Sequence, residues 1–225
     1  MPSIYAHTND GYVGRHAQSS WSNARANSTG TLASSTTLNY SIGIQASRIS
    51  LKGGGTGYTI IRTFLYFDTS GISANVDSAT LKIRGYFRNT GDIIALKSTA
   101  AISGLGTSDF ESIEGWDNSG TDGSGGGDME SSVTNYSSEI TSWSTSAYND
   151  IALNAQALAD MRDDDYLYVA LVNFDYDLKD VEPTGLNQNG LYYLNQSGTD
   201  KDPYVDYTLA AVTATDNAVF FGTNF

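Results

Sequence analysis

From Tyr58 to Arg84 the chain reads YTIIRTFLYFDTSGISANVDSATLKIR, and the rest of the sequence is organised around this stretch. In its first half Ile61, Leu65 and Phe67 fall on one parity, and Arg62, Phe64 and Tyr66 on the other. In its second half Ala79, Leu81 and Ile83 alternate with Thr80, Lys82 and Arg84. Successive side chains of a strand point to opposite faces, so a period of two predicts a pair of strands with a buried face. The linking TSGISANVDS is too long for a two-residue hairpin, which opens a second arrangement, with the later strand crossing to another sheet.

Shorter runs on either side extend the pattern. Ile4 to Ala6 and Gly11 to Arg15 predict opening strands around a turn at Asn9 and Asp10. Gln18 to Thr36 reads as a polar loop with Trp21 as its anchor, and weak alternation resumes from Leu38 to Ser50. The glycines of Lys52 to Gly57 mark a turn, and Ile93 to Lys97 a further short strand. Tyr166 to Asp177, YLYVALVNFDYD, is nearly continuous in apolar residues, as a central strand covered on both faces would be. Leu191 to Asn195 and Tyr204 to Leu209 complete the set.

Two segments break the period. Leu153, Ala157, Leu158 and Met161 are spaced for one short helix capped near Asn154, with Asp163, Asp164 and Asp165 in the turn beyond it. Gly104 to Ser142 is a long excursion with a glycine-rich acidic centre, WDNSGTDGSGGGD, that offers little to pack; such loops tend to carry function or to move. The expected fold is therefore all-β: a jelly-roll-like β-sandwich over 1–210 with one short helix and a long loop at about 104–142. Residues 211–225 form an apolar C-terminal tail, either an edge strand or an arm reaching another subunit.

Composition narrows the function. Charged residues are only 16%, yet 25 acidic against 12 basic residues leave a net charge of −13. That balance argues against nucleic acid, whose binding needs basic patches to displace phosphate counterions. The chain has no cysteine, so neither disulfides nor a cysteine zinc site can form. No run approaches the ~20 apolar residues of a membrane span. The first residues, MPSIYAHTNDGYV, do not read as a secretion signal. A surface rich in Gly, Ser, Thr, Asn and Tyr without such a signal suggests a virion protein, made in a host cytoplasm and exposed on the particle; an extracellular location is the alternative.

The candidate chemistry is sparse. His7 and His16 are the only histidines and neither sits in a triad-like arrangement, and no HExxH, P-loop or GxSxG motif occurs. No catalytic residue is assigned and the chain is expected not to be an enzyme. Asp117, Asp122 and Asp128 are the candidate metal ligands: with carbonyls of their glycine-rich loop they could hold calcium, although the spacing departs from an EF-hand and no Glu closes the loop. Asp163 to Asp165 form a weaker second candidate, and a solvated acidic loop is the plain alternative for both. Trp116, beside the acidic loop, is the candidate contact for a sugar or a partner, while Trp143 reads as core. Arg62 and Asp68 share a parity, and each is expected to pair structurally with other groups. Val219, Phe220 and Phe221 form a greasy cluster that wants a neighbour to cover it.

The order of these motifs resembles the DNRLRE-type β-sandwich family, also classed as carbohydrate-binding module family 96, and especially its divergent forms in structural proteins of marine tailed phages. The matching residues are Asp10-Gly-Tyr-Val13, Arg62-Thr-Phe-Leu-Tyr-Phe-Asp68, Ser78-Ala-Thr-Leu-Lys-Ile83, the segment around Trp143, the short helix, and Asp202-Pro-Tyr-Val-Asp-Tyr207. The likeness spans roughly 4–209 and lacks the family's name-giving arginine-rich segment. It implies a jelly roll. With composition, it leads to an expected phage virion protein, a capsid decoration or fibre-type subunit contacting other virion proteins and copies of itself. A carbohydrate-binding or adhesive module for host surface glycans, stabilised by calcium, is the alternative.

Overall fold

The computed structural model describes residues 1–35, 40–117, 127–195 and 197–211. In chain order its elements are β1 (Ser3–Tyr5), β2 (Gly11–Gln18), α1 (Trp21–Arg25), β3 (Leu32–Ser35), β4 (Tyr40–Ser50), β5 (Thr56–Asp68), β6 (Val76–Asn89), β7 (Ile93–Lys97), β8 (Tyr148–Ala152), α2 (Ala155–Asp163), β9 (Tyr166–Asn173), β10 (Gln188–Tyr192) and β11 (Tyr204–Leu209). All the strand pairs are antiparallel, and the protein is an all-β sandwich.

One layer runs β1-β11-β6-β8, the other β3-β2-β5-β9-β7. β4 and β10 join them, β4 pairing the first half of β5 and β10 the last residues of β6. The two prominent strands are thus not partners: β5 pairs with β2, β4 and β9, and β6 with β8, β10 and β11. The long link between them carries β6 to the facing layer, the second of the two arrangements open from sequence. A bulge helps it turn, since Gly190 faces Phe87 and Leu191 faces Gly85, leaving Tyr86 as the extra residue.

Between the layers Leu65, Phe67, Leu167, Val169 and Leu171 pack against Leu81, Ile83, Ile151 and Val205. A second core lies on the other side of β5. There Val13, Ile60, Phe64, Ala170 and Val172 are roofed by Trp21 and Ala24 of α1, and by Phe110, Ile113, Trp116, Met129 and Val133. Each such large apolar side chain contributes roughly 1.5–3 kcal/mol on burial.

This roof corrects two expectations. The stretch after Gln18 is not only a polar loop, since it holds α1, capped by the Ser20 side chain, and β3. The described parts of the 104–142 excursion do not leave the body but return across the central layer, with a short 3₁₀ turn at Thr107–Glu111. Sequence could not foresee this, because anchors such as Phe110, Ile113 and Met129 are isolated among polar residues and show no period. The short helix appears where the spacing placed it, as α2, with the Asn154 side chain accepting hydrogen bonds from the backbone N–H of Gln156 and Ala157. No helix among the described residues is long and apolar enough to cross a membrane.

Candidate functional site

Under the roof sits a buried charge network. The Arg62 guanidinium, from the middle of β5, donates through Nε and Nη2 to the two Asp177 carboxylate oxygens at 2.8 Å each, and through Nη1 to the Phe110 carbonyl at 2.6 Å. Its Cζ lies 4.1 Å from the Phe110 ring centre and 4.0 Å from that of Trp116. Arg25, at the end of α1, donates to the carbonyls of Asp177, Gly127 and Leu178, and approaches the Asp180 carboxylate at 3.3 Å. Burial lowers the Arg25 pKa, and the charges of Asp177 and Asp180 oppose that fall. Both arginines are fully buried, and such charges persist only when paired and hydrogen-bonded. The network is a crosspiece that fastens the roof to the central sheet.

The residues singled out from sequence fall as follows. Trp116 is buried, with one ring face taken by Arg62. Asp117 and Asp128 are exposed, and Asp128 accepts the N–H of Glu130 at 2.8 Å. Asp122, Val219, Phe220 and Phe221 lie outside the described residues. Asp163 pairs with its neighbour Arg162, and Asp164 lies 3.7 Å from Lys97. Trp143 is core, its indole N–H donating to the Gly190 carbonyl at 3.1 Å. Arg62 has its structural partner in Asp177, while Asp68 is exposed and bonds Ser70.

Sequence reasoning missed three arrangements. Asp92, Glu139 and Asp175, distant in the chain, bring carboxylate oxygens within 4.8 Å of one another at the surface. Burial, a hydrogen bond with Asp92 and the nearby acidic charges raise the Glu139 pKa. An open cleft of about 520 Å³ is lined by Lys97, Ser98, Asp164, Asp165, Tyr166 and Tyr168. Lys97 is held there by Asp160 at 3.0 Å.

The third arrangement is on the outward face of the β6 layer. Tyr5, Tyr148 and Tyr204 cluster with ring centres 5.2–5.5 Å apart, and Tyr40, Tyr86 and Tyr192 at 4.8–5.8 Å. Lys201 lies over the Tyr192 ring at 4.4 Å. Tyr5 and Tyr40 are 45% and 55% exposed, so these rings offer real surface. Gly190 makes room for Tyr86, whose ring would sit 2.4 Å from any β-carbon placed there. The only hint in sequence was the high tyrosine count, 15 in all.

Compared with known proteins, the chain matches no family model and no curated sequence.

Proposed function

We propose that this chain is a non-enzymatic phage virion protein, displayed on the particle as a capsid decoration or fibre-type subunit and working through its surface. The observation that carries this reading is a division of labour among polar side chains. The buried arginines and their acids are consumed in fastening the fold, whereas the tyrosine clusters of the outward face are half-buried or, at Tyr5 and Tyr40, exposed. His7 Nδ1 accepts the backbone N–H of Asn9, and the His16 backbone N–H donates to the Thr31 hydroxyl. The order of motifs shared with the DNRLRE-type sandwiches supports a particle protein. Its partners are other virion proteins and copies of itself. Mass spectrometry of purified particles tests this: the chain is expected in stoichiometric amounts, and its absence from clean particles overturns the proposal.

A second reading, a carbohydrate-binding or adhesive module for host glycans, is favoured by the two tyrosine clusters. Tyrosine rings stack on sugar faces while their hydroxyls stay hydrated. Retention of the purified protein on immobilised host polysaccharide, lost in Tyr86→Ala and Tyr192→Ala, supports it; no retention of the parent protein counts against it.

A further inference from the structure

Asp10, in the turn before β2, is 0% exposed. One carboxylate oxygen, Oδ2, accepts the backbone N–H of Leu194 at 3.1 Å. The other, Oδ1, is buried and has no hydrogen-bond partner. No Lys, Arg or His lies within ion-pair distance of Asp10 among the described residues. Instead a second acid, Asp202, only 3% exposed and just before β11, acts on it electrostatically. The turn before β2 meets the connection between β10 and β11 here: the Ala6 N–H donates to the Pro203 carbonyl at 2.9 Å, one residue from Asp202.

Buried polar groups in folded proteins almost always have partners, and a buried carboxylate without a counter-charge is costly. A proton is the first possible remedy. Burial, with a smaller contribution from Asp202, pushes the Asp10 pKa up to about 7, against the pull of the Leu194 N–H. A proton on Oδ1 would itself need an acceptor, and Oδ1 makes no hydrogen bond. A cation satisfies the oxygen directly and relieves the repulsion between the two acids.

A neighbouring group carries the same message. Asn195 follows Leu194, and its Nδ2 is also buried without a partner. Which end of an amide carries oxygen is an assignment made from its surroundings. Turned over, Asn195 removes an orphaned donor and offers an oxygen one residue along from the Leu194 N–H that Asp10 accepts.

We propose that Asp10 and Asp202, with the Asn195 amide oxygen, hold a calcium-type divalent cation that ties the turn before β2 to the connection between β10 and β11. The donors are all hard oxygens, which select calcium over zinc or copper, and backbone carbonyls and water complete such a shell. The site is separate from the acidic loop of Asp117 and Asp128, and it does not depend on the virion reading.

The test uses the full chain, stripped with chelator and held at pH 8. Calcium at about a hundredfold excess over Kd is expected to raise Tm by ~5–10 °C. Terbium in its place is expected to luminesce on tyrosine excitation. Asp10→Asn and Asp202→Asn should each lose most of both responses, while Asp117→Asn and Asp128→Asn keep them. The proposal is overturned if the parent chain shows neither response, which would leave a bound water only, or if both persist in the Asp10 and Asp202 variants. Should Asp10→Asn not fold, Asp202→Asn and the terbium titration of the parent chain decide.

Discussion

β5 and β6 follow one another in the chain and draw on similar residues, yet they meet different surroundings. Along β5 every position between its two end residues is buried, Arg62 and Thr63 included. Along β6 only Ala79, Leu81, Ile83 and Gly85 are buried, and Thr80, Lys82, Arg84 and Tyr86 are half-buried between them. Alternation is a faithful record of burial only where one face is wet. Where both faces are covered, a polar residue at an even position marks a pairing problem solved inside the protein rather than contact with solvent.

The largest test of that contrast is Asp177→Ala. It strands the Arg62 guanidinium in a dry site, and removing one partner of a buried ion pair costs ~3–5 kcal/mol. Replacing both partners, as Arg62→Met with Asp177→Leu, should cost much less in urea unfolding. Equal losses would show that the carboxylate matters for packing and not for charge.

Next come paired truncations. On β5, Phe64→Ala empties the core beneath the roof and Leu65→Ala the core between the layers; losses of ~3–5 and ~2–5 kcal/mol are expected. On β6 the same comparison should split, with Leu81→Ala costly and Lys82→Ala, whose partner Asp150 is largely exposed, within ~1 kcal/mol. A mild Phe64→Ala, under about 1 kcal/mol, would mean that the roof does not pack as described.

Smaller effects refine the picture. Asn154→Ala removes the cap of α2 and should cost ~1 kcal/mol by thermal or urea unfolding. Tyr192→Ala on the outward face should cost ~0.2–1 kcal/mol, the scale of one cross-strand pair. A far larger loss would mean that this tyrosine cluster is a structural element rather than an open surface.

Much of the fold was legible along the chain. β7 and β11 lie at the predicted Ile93–Lys97 and Tyr204–Leu209, and α2 with its Asn154 cap follows from helical spacing and a local side-chain bond. Each depends on residues a few positions apart. The roof and the candidate site depend on residues far apart. Arg62 meets Asp177, and Asp10 meets the Leu194 N–H and comes under the charge of Asp202, only after strands from opposite ends of the chain are in register. Trp116 shows the limit most clearly, because its place beside an acidic loop suggested an open contact, while its ring is used by Arg62.

Sequence alone determined that this protein would be built of strands, where most of them lie, and which faces of β6 would be dry, because period and turn chemistry act within a few residues. Tertiary structure decided that β5 and β6 would stand in different layers and that a loop would roof the central one. It also decided which buried acid would meet an arginine and which would be left with an unpaired oxygen. Those outcomes follow from burial and long-range pairing, whose energies exist only once distant segments have excluded water together.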